Sequence, residues 1–158
     1  MADLKPPRLC GDERATLLAL LQFQRESVLR KVEGLDHDAA RRHLVGSDTT
    51  LLWLVQHLAH AETLWVQVRF RGDDENVLDA LARESGETMP EAIAAYRDTW
   101  SRVDAIVTAS TLDDLVVDDQ GLGPVNLRWV LGHLLEETAR HAGHADILRE
   151  LIDGSTGR

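Results

Sequence analysis

Residues 126–146 read NLRWVLGHLLEETARHAGHAD. Asn126 offers an N-cap oxygen. Beyond it Leu131, Leu134, Leu135, Thr138, Ala142, Ala145 and Leu148 recur at the three-and-four spacing of one helix face. This helix is expected to run to about Asp153, with Gly154 as its stop. His133, Glu137 and His141 repeat at spacing four along the shoulder of that face, and His144 follows three residues later. Neighbours at i and i+4 lie one turn apart on one side of a helix. An imidazole and a carboxylate placed so can grip one ion, and helical bundles complete such sites with a ligand from a facing helix.

The facing ligand is found upstream. A second helix is expected from about Thr50 to Phe70, capped from the Ser47-Asp48-Thr49-Thr50 run and ended near Gly72. Its apolar stripe is Leu51, Leu54, Leu58, Ala61, Leu64, Trp65 and Val68. On a helical wheel His57 falls about 40° from Ala61 and about 20° from Leu64, in the middle of the face that should be buried. His60 is displaced toward Gln56 and Gln67. His57 is thus the natural third ligand beside Glu137 and His141. Burying three ionisable groups is costly unless they are paired or bind a metal.

Two more helices complete the chain. The first is expected from about Glu13 to Glu33, on Leu17, Leu18, Leu21, Val28 and Leu29, with Gly34 ending it. The third begins after Thr88, with Pro90 in its first turn, and runs to about Ala109. A short helix is expected near Val77 to Arg83, and a loop over Ser110 to Val125, with a turn at Gly121-Leu122-Gly123-Pro124 and Leu115-Val116-Val117 briefly extended. Four long amphipathic helices without strand signals define an all-α four-helix bundle. Residues 1–158 form one domain, with 1–11 as a tail. The connections on either side of the third helix are long, so the topology need not be up-down-up-down.

Composition excludes several partners. The 158 residues carry a net charge of −10 and no basic run, which argues against nucleic acid and against an anionic membrane surface. Apolar stretches are broken by charge every few residues, so none spans a bilayer. Met1 to Glu13 lacks the apolar core of a secretion signal. The single cysteine, Cys10, excludes an internal disulfide, reads as a free surface thiol, and fits a reducing cytoplasm. His37 and His43 fall in the polar connection after the first helix and read as solvated.

The segment from Leu54 to Glu62, followed by Trp65, resembles the second-helix motif of the DinB superfamily. The segment Asn126 to Asp146 resembles the last helix of its mini-circle-type, mycothiol-transferase-like branch. Glu13-Arg14 at the start and Leu148-Arg149-Glu150 near the end also fit, so the resemblance covers roughly residues 12 to 157. It implies an up-down-down-up bundle, a homodimer, and a metal held by His57, Glu137 and His141. Many members carry His at the position of Glu137, and the Glu is similar to the mycothiol-dependent maleylpyruvate isomerase arrangement. Many relatives have Gln where this chain has His144.

The expected function is a thiol S-transferase that activates a low-molecular-weight thiol such as mycothiol at a divalent metal and presents it to an electrophilic substrate. Three protein ligands leave a fourth position open, as in catalytic zinc sites. Zinc suits the N/O donor set; nickel and iron also fit. His60, His133 and His144 are candidate proton carriers. Arg128 and Arg140 are candidate holders of a substrate carboxylate. Trp65 and Trp129 are candidate pocket walls, while Trp53 and Trp100 read as core packing or a dimer face. The alternatives are a metal-dependent hydrolase of a small substrate, and a non-enzymatic, stress-associated bundle whose ion is structural, with His144 or His60 as fourth ligand.

Overall fold

The computed structural model describes residues 4–121 and 123–157. Helix α1 spans Glu13–Val32, α2 His37–Ala40, α3 Leu51–Glu62, α4 Asn76–Glu84, α5 Met89–Ala109 and α6 Leu127–Asp153. Helix α3 runs straight into a π-helical stretch, Thr63–Arg71. The helix starts follow the expected caps. The side chains of Asp12, Thr50 and Asn126 each accept a bond from a backbone N–H three residues on. Thr88 and Glu91 close a full capping box at α5. Gly72 and Gly154 end their helices in the left-handed conformation. The expected extended stretch is reduced to one antiparallel bridge between Leu115 and Asn126. In the expected turn before α6, Leu122 lies outside the described residues, as do 1–3 of the tail.

Cross-helix bonds fix the topology. Arg128 reaches Glu13, while Arg149 donates to the carbonyls of Lys31 and Glu33, so α1 and α6 run parallel. His57 meets Glu137 and Trp65 meets His133, so α3 and α6 are antiparallel. Arg25 reaches Asp104 and Arg14 reaches the carbonyl of Thr108, so α1 and α5 are antiparallel as well. The order is therefore up-down-down-up. Helices α3 and α5 share a direction, which is why a long connection carrying α4 must join them.

The core has two apolar halves. One joins Val28, Leu54, Leu58, Leu81, Tyr96 and Leu148; the other joins Leu21, Val66, Val103, Leu127, Leu131 and Leu134. Between them lies a polar waist that the sequence reading missed. Arg25 Nε donates to Glu62 Oε1 at 3.0 Å, Tyr96 Oη donates to the same oxygen at 3.1 Å, and Arg25 Nη1 donates to Asp104 at 2.9 Å. Arg25, Glu62 and Tyr96 are each 0% exposed. Burial opposes the Arg25 charge, yet Glu62 and Asp104 outweigh it and hold its pKa above the ordinary arginine value. Complete burial pushes the Glu62 carboxyl up, against the pull of Arg25 and Tyr96.

Two expectations from the wheel are corrected here. The buried arc of α3 runs from Ala61 through Leu54, Leu58, Leu51, Glu62, Val55 and Ala59 to Leu52. It is centred near Leu51, so His57 lies about 40° beyond its edge rather than at its middle. Past Glu62 the wider π winding makes each residue lag behind an α-helical course. Val66 and Gln67 are buried, while Leu64 and Trp65, both expected inside, are only partly covered.

Candidate metal centre

His57 sits on the seam where α3 faces α6. Its Nε2 lies 3.0 Å from Glu137 Oε1, and His141 Nε2 lies 3.0 Å from the same oxygen. One donor atom from each of His57, Glu137 and His141 falls within 4.8 Å of the others. Two helices create this convergence. The i, i+4 spacing stacks Glu137 and His141 on α6, and the antiparallel crossing brings His57 opposite them. The side chains of His141 and Glu137 are 11% and 15% exposed and that of His57 is 29% exposed, so the site is closed below and open on the α3 side.

The surroundings hold each group in place. Arg140 Nη1 donates to Glu137 Oε2 at 2.9 Å, which leaves Oε1 to face the two imidazoles. Trp53 stacks on His57, with ring centroids 4.6 Å apart and planes 11° apart. His144 Nδ1 lies 3.2 Å from His141 Nδ1, so one ring donates an N–H to the other and His141 keeps its Nε2 for the site. The donor set is one carboxylate and two imidazole nitrogens, a combination that suits a borderline divalent ion such as zinc.

The protonation states favour a ligand role. Burial tends to raise the Glu137 carboxyl, but bonds from His57 and His141 win and hold it below the usual carboxylate range. Burial lowers His141 below the usual imidazole value, and the nearby His57 and His144 add to this against the pull of Glu137. Both are thus in ligating form at neutral pH. Each depressed pKa stabilises the fold above the unfolded value, and that stabilisation is lost as pH falls toward the folded value. For His141 the loss begins below about pH 6.5. Thermal melts of chelator-treated protein are expected to fall as pH drops from about 7 to about 5, and to fall less in His141→Gln. A melting temperature that is flat or rises over that range in the native sequence would contradict the assignment.

The other sequence candidates divide. His60 lines a cleft with His57, and burial, aided by His57, lowers its pKa. His144 touches the site through His141. His133 does not: it stacks on Trp129 at 5.2 Å and meets Trp65 edge-on at 4.8 Å. Eight residues along α6 separate it from His141, about 12 Å of helix. The two arginines are engaged. Arg128 pairs with Glu13 and Asp113, and Arg140 with Glu136 and Glu137. Trp53, expected as packing, instead forms a wall of the site and is 42% exposed. Its place at i−4 from His57 was the available signal.

An antiparallel His57–Glu137–His141 constellation on a helical bundle defines a DinB-like protein with a candidate metal centre. The family model for mycothiol-S-transferase matches residues 16–154, and the chain belongs to this DinB-like family. A crystal structure of a conserved protein from Enterococcus faecalis shares the fold, with a TM-score of 0.75 and 13% identity. The match covers 92% of this chain and 100% of that one. No curated protein matches the sequence. No helix among the described residues is long and apolar enough to cross a membrane.

Proposed function

We propose that this protein is a metal-dependent S-transferase that joins a low-molecular-weight thiol, such as mycothiol, to a small electrophile. The observation that supports it most is the convergence of His57 Nε2 and His141 Nε2 on one oxygen of Glu137, within a chain of the mycothiol-S-transferase family. On this reading His57, Glu137 and His141 hold a divalent ion, with zinc the first candidate. When bound, that ion would lower the pKa of a thiol placed at its open position.

The residues around it do the rest. Trp53 and Leu81 shield the reacting sulfur from water on the open side. His60, unprotonated at neutral pH and in the same cleft, takes the thiol proton. The sulfur forms its bond to the electrophilic carbon, and the leaving group departs with the electron pair of the broken bond. His133 lies between Trp65 and Trp129, and we assign it to that packing rather than to the proton. The reading includes a homodimer in the cytoplasm; the exposed Ile147 and Leu151, one turn apart on α6, suit a subunit contact.

His144 orients His141 rather than carrying a proton. Outer partners of ligating histidines typically contribute 10–100-fold in metal affinity, on the order of one to two decades. His144→Ala is expected to weaken metal binding by roughly that factor, and His144→Gln, which keeps a polar partner, to weaken it less. Equal metal affinity in native protein and His144→Ala would remove that role.

The test of the function is a screen of thiols against electrophiles with native protein and His57→Ala. Transfer is expected with the native protein and a loss of at least about a hundredfold in the variant, at unchanged helicity. Transfer that survives His57→Ala intact would rule out this metal mechanism. A small ester or amide hydrolysed without thiol would favour the hydrolase instead.

A further inference from the structure

Beside His57 lies a cleft of about 500 Å³ between α3 and α4, within the usual range for a small-molecule site. Trp53, Gln56, His57 and His60 form its α3 wall, and Leu81, Ala82 and Ser85 its α4 wall. The cleft is held open by structure on both sides. Leu81 anchors α4 in the core at 2% exposed, and Gln56 Nε2 donates to the Gly86 carbonyl at 2.8 Å, tying the end of α4 back to α3.

Its lining contains no Lys, Arg, Asp or Glu. The charges lie elsewhere. Beyond Gln56 and Trp53 a separate depression holds Arg41, Asp48 and Glu87. Arg140, the arginine nearest the triad, is spent on Glu136 and Glu137. Against the α4 wall, away from His57 and His60, a carboxylate would give up water for no cation and for no donor beyond the Ser85 hydroxyl, and that desolvation is unfavourable. An aromatic or aliphatic group would instead cover Leu81, Ala82 and the Trp53 ring.

The structure assigns the α3–α4 cleft to the electrophilic substrate and points to an uncharged, largely apolar molecule, with Ala82 as the residue that sets the depth available to it. The inference rests on the S-transferase reading for the word electrophile, and on the cleft alone for the ligand's neutrality. Ala82 is exposed on α4, so a larger side chain there fills the cleft without displacing core.

The experiment measures binding, without added thiol, of a dinitrobenzene and of its carboxylate-bearing counterpart, a dinitrobenzoate, neither of which carries a leaving group for the exposed Cys10 thiol to displace. Equilibrium dialysis is run on native protein, Ala82→Trp and Ala82→Lys. The native protein is expected to bind the neutral probe at least about tenfold more tightly than the benzoate. Ala82→Trp should lose at least about tenfold in affinity for the neutral probe, and Ala82→Lys should shift the preference toward the benzoate. Metal content should be equal in all three. No binding of the neutral probe, equal binding of both probes by the native protein, or unchanged binding in both variants would each overturn the assignment. Thiol transfer is assayed separately. If it fails while the binding pattern holds, the S-transferase reading falls and the neutral-ligand cleft stands.

Discussion

Purified His141→Ala protein is expected to carry no divalent metal where the native protein carries about one equivalent, with its helical content preserved. Outer partners of a ligating histidine already contribute up to about a hundredfold in affinity, so loss of a proposed ligand should exceed that. His141 is the deepest of the three groups, at 9% exposed, and stands between Glu137 and His144. Its removal leaves His57 as the one imidazole on Glu137, beside the Arg140 guanidinium. The fold should survive, because the neighbouring core residues Leu134, Ala145 and Leu148 keep their contacts. His57→Ala should behave alike, although its loss also frees the Trp53 ring that stacks on it. Elemental analysis beside circular dichroism makes the check. A native protein that takes up no metal after incubation with zinc and with nickel would sink the metal mechanism.

The second large effect concerns the waist. Arg25→Met should destabilise the bundle by about 3–5 kcal/mol, since it strands the Glu62 carboxylate in a fully buried position. For a domain of this size that corresponds to a melting temperature lower by roughly 6–20 °C. Replacing the network together, as Arg25→Met, Glu62→Leu and Tyr96→Phe, should recover much of the loss, because buried ion pairs often do no better than well-packed apolar groups of similar volume. The waist then acts as a register device: Arg25 on α1, Glu62 on α3, and Tyr96 and Asp104 on α5 must meet at one level. A drop of only a degree or two for Arg25→Met would refute this account.

The waist explains why the candidate metal site sits where it does. The polar layer separates two apolar halves, and Glu137 and His141 leave α6 at the level of that break, between Leu134 and Ala145. Ionisable side chains are costly to place against solid apolar packing. At the waist they meet an already polar cross-section, with Thr99 and Thr138 bonding to carbonyls of their own helices.

What the sequence by itself determined was local. Apolar spacing and cap residues place the four long helices, because the 3.6-residue period and the unpaired terminal N–H groups are properties of each segment alone. The i, i+4 arrangement of Glu137 and His141 is of the same kind, whereas the meeting of His57 with them is a contact between helices 80 residues apart in sequence. Three further things needed the tertiary structure. The burial of His57 depends on which side of α3 faces α5, and Val55 and Ala59 draw that face away from it. The turn of Trp65 toward Trp129 and His133 depends on π winding after Glu62, which no residue pattern announced. The pairing of Glu62 with Arg25 and with Tyr96 joins residues 37 and 34 positions apart, and only the packed bundle brings such groups out of water together.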